Sequence, residues 1–193
     1  MFYLLNIFIQ MKILLNNTTL FESLRPFNDL GFVPTMGGIH KGHFEGVLDV
    51  MNKLTKIVKP KKIFMGEKDF QQLYLVKKEL EKKYKTKVIP CKTIRDKDNI
   101  ALSSRNLLLN KSYLTIAAKI YETLVDIKKN TKNKKNIPSF LNFKKKELKN
   151  NYKIKIDYLD LRNIKNLKLS NTKNNSRLFI AYYLKNVRLN DNL

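Results

Sequence analysis

The stretch that decides the fold reads Leu30-Gly31-Phe32-Val33-Pro34-Thr35-Met36-Gly37-Gly38-Ile39-His40-Lys41-Gly42-His43. Its apolar beginning, which ends at Pro34, predicts a short buried strand. Gly37-Gly38 predicts a tight turn, and apolar residues then recur at helical spacing over residues 39–54. The helix therefore begins directly after the glycine turn, and the free N–H groups and dipole at a helix N-terminus attract phosphate.

Both histidines of the chain, His40 and His43, fall in the first turn of this helix. Residues three apart share one helical face, so the two imidazoles can donate hydrogen bonds to the same triphosphate as charge builds on the leaving pyrophosphate. Gly37, Gly38 and Gly42 let the backbone approach a nucleotide closely. The alternative is that two surface histidines lie near a turn by chance.

Alternating strands and helices follow the first helix. The pattern predicts a strand over 61–66, a helix from Phe70 to Tyr84 that Asp69 can cap, and a strand over 87–91. Strands that alternate with helices are typical of a parallel α/β sheet.

The second half of the chain has a different pattern, from which we expect helices followed by strands. The predicted segments are a helix over 111–129, a polar connector over 128–136, a helix from Pro138 to Lys149 and strands over 154–161 and 177–184. We therefore expect a Rossmann-like α/β domain, shortened inside, over residues 1–102, and a smaller α+β domain over residues 103–193.

Two further segments carry side chains suited to a nucleotide. In the first, Gly66-Glu67-Lys68-Asp69-Phe70-Gln71-Gln72, Lys68 suits a phosphate oxygen, Asp69 a ribose hydroxyl, and Gln72 a carboxylate or hydroxyl of a substrate. In the second, Ser103, Ser104 and Arg105 form a phosphate clamp. Either segment alone is also compatible with a charged loop and ordinary turn chemistry.

The net charge of +23 and pI of about 10.0 raise nucleic-acid binding as an alternative function. Only six of the 39 basic residues are arginines, although arginine is the better reader of bases and phosphates. The many lysines occur with many asparagines and isoleucines, each of which has at least one codon made only of A and T. Drift of a genome toward A and T would therefore produce this charge without a partner. A nucleic-acid-binding protein would show salt-sensitive binding to any duplex.

The N-terminal segment over 1–15 is apolar but is interrupted by Asn6, Gln10 and Lys12. We therefore expect neither a membrane span nor a signal peptide there, and Met11 is an alternative start of the chain. The single cysteine, Cys91, excludes an intrachain disulfide and fits a reducing cytoplasm. It is expected to be a small buried apolar residue.

Taken together, the motifs resemble the pantothenate synthetase family, within the nucleotidyltransferase superfamily that has a two-histidine signature. The resemblance covers most of the chain from Gly31 onward. The matching segments, in the family's order, are Pro34 to His43, Gly66 to Gln72, Thr93-Ile94-Arg95, Leu102 to Asn106, Ile156-Asp157-Tyr158, and Ala181 with Val187-Arg188-Leu189-Asn190-Asp191-Asn192.

The resemblance implies an ATP-dependent ligase that joins pantoate to β-alanine through a pantoyl adenylate, with Mg²⁺ on the ATP phosphates and no metal site made by protein side chains. It implies that His43 is the catalytic proton donor, that His40 and Lys68 act at the phosphates, and that Gln72 contacts pantoate. The residues implied to contact ATP are Met36, Gly37, Gly38, Ile39, His40, Lys41, Gly42, His43, Gly66, Glu67, Lys68, Asp69, Ile94, Leu102, Ser103, Ser104 and Arg105. A cytoplasmic enzyme, frequently a homodimer, is also implied.

The interval between His43 and Gly66 departs from the family. In the family this interval is much longer and includes an Asn-Pro and a Gln that bind pantoate and β-alanine, whereas residues 44–65 here contain no such segment. A substrate held by one glutamine is poorly positioned, and misplacement costs rate. We therefore expect ATP binding to be better preserved than pantothenate synthesis, and a weakly active relic that binds only ATP is an alternative.

Overall fold

The computed structural model of the chain describes residues 31–32, 43–131, 134 and 136–193. The chain divides into two compact units. The first consists of the described residues up to Met65 together with Gln72–Cys91, and the second consists of Gly66–Gln71 and Lys92–Leu193. The expected domain boundary between residues 102 and 103 stays a prediction. Among the described residues, no helix is both long and apolar enough to cross a membrane.

The first unit contains the strands and helices expected of an α/β sheet. Their bounds are β1 (Gly31–Phe32), α1 (His43–Val58), β2 (Lys62–Gly66), α2 (Phe70–Lys83) and β3 (Lys87–Cys91), of which Gly66 and the first residues of α2 belong to the second unit. Strands β1 and β2 are parallel, with Gly31 opposite Lys62, and β2 lies between β1 and β3. The predicted strands around Ile63 and Val88 are therefore confirmed.

Helix α1 packs through one face, because its apolar residues recur at helical spacing. Val47 and Met51 are buried, as expected, and the Thr55 hydroxyl on the same face donates to the Met51 carbonyl at 2.7 Å. The buried apolar residues of this unit are Val47, Met51, Ile63, Met65, Leu73, Val76, Leu80 and Val88.

The second unit is α+β. After a 3₁₀ turn over Glu67–Asp69 and another over Ser104–Leu108, it contains α3 (Lys111–Asn130), α4 (Ile137–Tyr152), β4 (Lys155–Asn163), β5 (Ser176–Leu184) and β6 (Val187–Asn192). The three strands form an antiparallel sheet in the order β4-β5-β6 within the described residues. Together with the parallel pair of the first unit, this sheet confirms the predicted α/β fold class.

Side-chain caps and apolar packing fix the helices of the second unit. Asn110 accepts from the Tyr113 amide at 3.1 Å at the start of α3, and Asn136 accepts from the Ser139 amide at 3.0 Å at the start of α4. Pro138 lies in the first turn of α4, where its missing N–H is tolerated. One core joins the two helices to the sheet, and its most buried members are Ile120, Leu124, Ile127, Leu148, Leu161, Leu178, Ile180 and Leu184.

Two expectations need correction, and the structure adds one strand. The polar connector does not begin at Lys128, because α3 continues to Asn130, where buried Ile127 and Thr131 pack the end of the helix despite its polar sequence. Cys91 is exposed rather than buried, since it is the last residue of β3. Strand β6 was not predicted at all, and it proves to be important for the candidate site.

Candidate functional site

The glycine turn and the first histidine lie outside the described residues. The predicted site residues concerned are Met36, Gly37, Gly38, Ile39, His40, Lys41 and Gly42. His43 is the first residue of α1, and the described part of the structure covers its backbone. The predicted proximity of these residues to a nucleotide therefore stays a prediction.

The turn over Glu67–Asp69 is held by Asn190 of β6. The Lys68 ammonium donates to Asn190 Oδ1 at 3.0 Å, and Asn190 Nδ2 donates to Asp69 Oδ1 at 2.7 Å. One carboxamide thus contacts both the cation and one carboxylate of the turn. Gly66 precedes the turn in an extended conformation, and a Cβ at this position would have no atom within 4 Å.

The backbone of the same turn is held by Asn192, a buried side chain. Asn192 Nδ2 donates to the carbonyls of Glu67 at 2.9 Å and Lys68 at 2.7 Å. Its Oδ1 accepts from Arg177 Nη1 at 2.8 Å. Arg177 also lies 3.4 Å from Glu67 Oε2 and stacks 4.4 Å from the centroid of the Phe70 ring. Asn192 consequently fixes the backbone of the turn at Glu67 and Lys68. The side chains on either side of Lys68 are also held, Glu67 by Arg177 and Asp69 by Asn190.

Residues 93–102 form a tight hairpin that brings two predicted ATP contacts together. The Leu102 amide donates to the Ile94 carbonyl at 3.0 Å, and Arg95 pairs with Ala101 in an antiparallel bridge. Asp96 closes the end of the hairpin by accepting from the Ile100 amide at 2.9 Å. Both Ile94 and Leu102 are exposed, at 71% and 52%, so their apolar side chains are available to a ligand.

Arg95 ties this hairpin to β6. Its guanidinium makes two hydrogen bonds to Asp191, at 2.7 and 2.9 Å, and lies 4.3 Å from the centroid of the Tyr121 ring. Burial lowers the pKa of Arg95, but its hydrogen bonds to Asp191 and the charge of Asp191 outweigh burial, and the pKa lies above the usual value. Arg95 is therefore a permanent cation at the base of the hairpin.

The predicted phosphate clamp is a 3₁₀ turn, and two of its three side chains, Ser103 and Arg105, make hydrogen bonds within the protein. Ser103 Oγ accepts from the Arg105 amide at 3.3 Å and caps the turn, while Ser104 is exposed. Arg105 Nη1 donates to the Arg188 carbonyl of β6 at 3.2 Å. Since a guanidinium has five N–H donors, the other donors of Arg105 can serve an anion.

A small cavity of about 20 Å³ connects the two predicted segments within the second unit. Lys68 from the first segment and Ser103 from the second line it, together with Asn106, Tyr121, Tyr182 and Asn190. The cavity has room for about one water molecule. Burial raises the pKa of the Tyr182 phenol well above its usual value, with a smaller effect from the charge of Asp191, so this group is a neutral donor at physiological pH.

Gln72, the predicted pantoate contact, lies in the first unit on α2. Its side chain is buried, with 8% of the residue exposed. Among the predicted site residues, the structure therefore brings Lys68 close to Ser103 and Ile94 close to Leu102. Gln72 belongs to the other structural unit. The contact between Gln72 and a substrate stays a prediction.

Sequence reasoning missed the residues that organise the site. Asn190, Asn192 and Arg177 were not among the predicted site residues, although the first two belong to a segment that the resemblance included. One signal was available: polar residues alternate with Val187 and Leu189, which is the period of a strand. Strand β6 contacts the Glu67–Asp69 turn, the hairpin over 93–102 and the turn that carries Arg105, so it joins three of the predicted parts of the site within the second unit.

The arrangement can hold a polyanion. Lys68 supplies a point charge, and Arg105 has N–H donors in its planar guanidinium beyond the one that bonds Arg188. The exposed side chains of Ile94 and Leu102 supply apolar surface of the kind that contacts a nucleotide base. Among the described residues no group of three or more His, Cys, Asp or Glu side chains forms a metal site.

Comparison with known proteins identifies relatives of the chain. Pantothenate synthetase of Flavobacterium psychrophilum is 36% identical over 176 residues, which cover 88% of this chain and 61% of the relative. The enzyme of that name from Francisella philomiragia is 35% identical, over 81% of this chain and 52% of the relative. The chain thus spans between about half and two thirds of the length of these relatives.

Solved structures of pantothenate synthetase and pantoate-beta-alanine ligase also resemble the chain. Pantothenate synthetase from Thermus thermophilus matches with a TM-score of 0.71 and 26% identity, over 83% of this chain and 62% of that chain. Pantoate-beta-alanine ligase from Francisella tularensis, complexed with Beta-gamma ATP and Beta-alanine, matches with a TM-score of 0.58 and 34% identity, over 83% and 56%. The family model described as Pantoate-beta-alanine ligase matches residues 41–193. The chain therefore belongs to the pantoate–β-alanine ligase family.

Proposed function

We propose that the chain binds ATP with its phosphates at Lys68 and the Ser103–Arg105 turn, and that it uses ATP to join pantoate to β-alanine. The observation that carries the ATP site is that Lys68 and Ser103, predicted from separate segments, are neighbours in the second unit, because both line the same small cavity. Membership of the family and the Francisella tularensis relative solved with Beta-gamma ATP and Beta-alanine support the substrates.

The reaction in this proposal has two steps. A carboxylate oxygen of pantoate attacks the α-phosphorus of ATP, the bond to the bridging oxygen breaks, and pyrophosphate leaves with the electron pair. The amine of β-alanine then attacks the acyl carbon of the pantoyl adenylate, the carbon–oxygen bond to phosphate breaks, and AMP leaves as the amine loses a proton. Both steps transfer negative charge to a phosphate leaving group, which fixed cations stabilise.

The chain's own residues would stabilise that charge. The Lys68 ammonium and the donors of Arg105 would hold phosphate oxygens, and His43 and His40 would donate hydrogen bonds from the predicted first turn of the helix. Gln72 would contact pantoate, and the backbone of Ile94 would contact the nucleotide. The remaining ATP contacts in the proposal are Met36, Gly37, Gly38, Ile39, Lys41, Gly42, Gly66, Glu67, Asp69, Leu102 and Ser104.

Mg²⁺ enters the proposal on the ATP phosphates rather than in a protein site. Mg²⁺ keeps several waters and binds mostly through substrate phosphates in such enzymes. The side chains of the described residues fit this arrangement, because Lys68 and Arg105 are cationic and would face phosphate rather than metal. When bound, the ion neutralises phosphate charge. A homodimer and a cytoplasmic location complete the proposal, and light scattering after gel filtration measures the former.

The weakly active relic is a second candidate, favoured by the 61% coverage of the Flavobacterium psychrophilum relative. Calorimetric titration with ATP and an assay of AMP release with pantoate and β-alanine separate the two. ATP binding with AMP release supports the ligase, ATP binding without AMP release supports the relic, and no ATP binding overturns both.

The binding site itself is tested by Lys68→Met, with Lys77→Met as its control because Lys77 is an exposed lysine of α2. Loss of a charged hydrogen bond costs about 1.5–3 kcal/mol, so Lys68→Met should weaken ATP binding about tenfold or more. Lys77→Met should leave the ATP affinity unchanged, and equal affinities for the two variants would contradict the site.

A further inference from the structure

The carboxamide of Asn190 occupies an unusual place between two opposite charges. Its oxygen accepts from the Lys68 ammonium at 3.0 Å, and its nitrogen donates to Asp69 Oδ1 at 2.7 Å. A carboxamide offers an acceptor and two donors on one planar group, so it can bind a cation and a carboxylate together. The reverse orientation would place its NH₂ against the ammonium, so the two partners define its direction.

Lys68 needs such a partner if its ammonium is to have a fixed position. A lysine side chain has a flexible four-carbon stem, so it loses rotamer entropy when its ammonium is held in one position. Asn190 supplies such an acceptor from within the protein, at 3.0 Å from the ammonium. It also occupies Asp69 Oδ1, an oxygen that would otherwise compete with a phosphate for the ammonium.

The backbone of Asn190 is held in the antiparallel sheet. It lies opposite Ala181 in the β5–β6 ladder, and Ala181 is fully buried. The turn is fixed independently by Asn192, which donates to the carbonyls of Glu67 and Lys68. Removal of the Asn190 side chain should therefore free the Lys68 ammonium while the backbone of the turn stays in place.

From these contacts we propose that Asn190 is a positioning residue of the ATP site, which directs the Lys68 ammonium at the outer phosphates of the nucleotide. The proposal rests on the proposed function for the identity of the ligand. The positioning of Lys68 itself is a property of the free protein and can be measured without a nucleotide.

The first experiment measures the reactivity of Lys68 without ligand. The protein is treated with a trace of acetic anhydride, and acetylation of Lys68 and Lys77 is quantified by peptide mass spectrometry. In Asn190→Ala, acetylation of Lys68 should rise several-fold relative to Lys77, because its hydrogen bond is lost. Asn190→Asp keeps an oxygen acceptor, so acetylation of Lys68 should stay as slow as in the unaltered protein. Asn186→Ala, at an exposed residue of the β5–β6 connection, is the control and should leave acetylation of Lys68 unchanged. Unchanged Lys68 reactivity in Asn190→Ala overturns the proposal.

The second experiment measures binding by calorimetry, with ATP and AMP as probes. Asn190→Ala should weaken ATP about fivefold or more, within the range of a hydrogen bond to a charged group, and leave AMP within about twofold. In a Lys68→Met background it should have no further effect on ATP, because the ammonium through which Asn190 acts is already absent. Equal losses of affinity for ATP and AMP, or additive losses with Lys68→Met, would show a merely structural role and overturn the proposal.

Failure of the unaltered protein to bind ATP would overturn the proposed function. The acetylation result would then decide only whether Asn190 positions Lys68.

Discussion

Arg95 and Asp191, 96 residues apart in the chain, form a two-pronged ion pair with distances of 2.7 and 2.9 Å. Their side chains are only 17% and 10% exposed. Arg95 also donates to the Asn99 carbonyl at 3.0 Å and stacks on Tyr121. This single guanidinium therefore joins the hairpin that carries Ile94 and Leu102 to strand β6 and helix α3.

Arg95→Lys should destabilise the second unit although it keeps the charge. A lysine cannot reproduce the planar two-pronged geometry or the stacking on Tyr121, and it leaves part of a buried carboxylate unpaired. We expect a loss of about 2 kcal/mol in the free energy of unfolding, measured by urea denaturation. Lys97→Gln, at an exposed residue of the same hairpin, is the control and should change stability by less than about 0.5 kcal/mol. A loss in the control as large as that in Arg95→Lys would contradict this role of the ion pair.

Asn99 should tolerate glycine better than alanine. Its backbone has φ of 62°, in the left-handed region that glycine and asparagine adopt at little cost. Asn99→Ala should cost about 1 kcal/mol and loosen the hairpin, whereas Asn99→Gly should keep it. Hydrogen exchange at the Leu102 amide, which donates to Ile94, reports the hairpin directly. Faster exchange in Asn99→Gly than in Asn99→Ala would be the contrary result.

Local sequence pattern was sufficient for the elements whose apolar residues repeat regularly. Strand β3 matches its predicted bounds, and β2, α2 and α3 match theirs within a residue. The sequence assigns Lys128 and Lys129 both to the end of α3 and to a polar connector, because Lys128, Lys129 and Asn130 have the composition of a linker. Buried Ile127 and Thr131, whose hydroxyl donates to the Lys128 carbonyl at 2.7 Å, nevertheless keep that turn helical.

Strand β6 has only a weak signal in its own residues, the alternation of polar residues with Val187 and Leu189. Asn190, Asp191 and Asn192 are poor strand formers, and they read as a polar terminus. Their partners Lys68, Asp69 and Arg95 are 96 to 122 residues away, and Arg177 lies on the neighbouring strand β5, so tertiary hydrogen bonds override the local preference. For the same reason sequence motifs predicted Lys68 as a site residue but could not identify the side chain that holds it.

Gly66→Ala tests whether ATP lies against the end of β2. Gly66 has φ of −68°, and an added Cβ would have no protein atom within 4 Å, so the free protein should accept alanine without loss of stability. If ATP packs against this backbone as proposed, the extra methyl group should weaken its binding about tenfold through steric overlap, a loss of about 1.4 kcal/mol. Calorimetric titration with ATP measures the effect.

Gly46→Ala provides the matched control for this change. Gly46 lies inside α1 and also has no atom within 4 Å of an added Cβ. Alanine there should raise stability by up to about 1 kcal/mol because of its higher helix propensity, and should leave ATP affinity unchanged. Unchanged ATP affinity in Gly66→Ala would show that the nucleotide does not approach Gly66.

Lys128→Met should stabilise the protein at neutral pH. Burial lowers the pKa of Lys128, and the charges of Arg177 and Lys173 lower it further. Since the folded state disfavours the charged form, the ammonium opposes folding below its pKa in the folded state, and this effect disappears as the pH rises toward the ordinary value of 10.5. We therefore expect Lys128→Met to raise the free energy of unfolding at pH 7, by less than about 1 kcal/mol because the side chain is only partly buried. The gain in the free energy of unfolding should shrink as the pH approaches 10.

Urea denaturation at several pH values measures the difference in stability between Lys128→Met and the unaltered protein. Lys129→Met, at an exposed neighbour, should show no such trend with pH. A difference that grows with pH would contradict the assigned direction of the pKa shift.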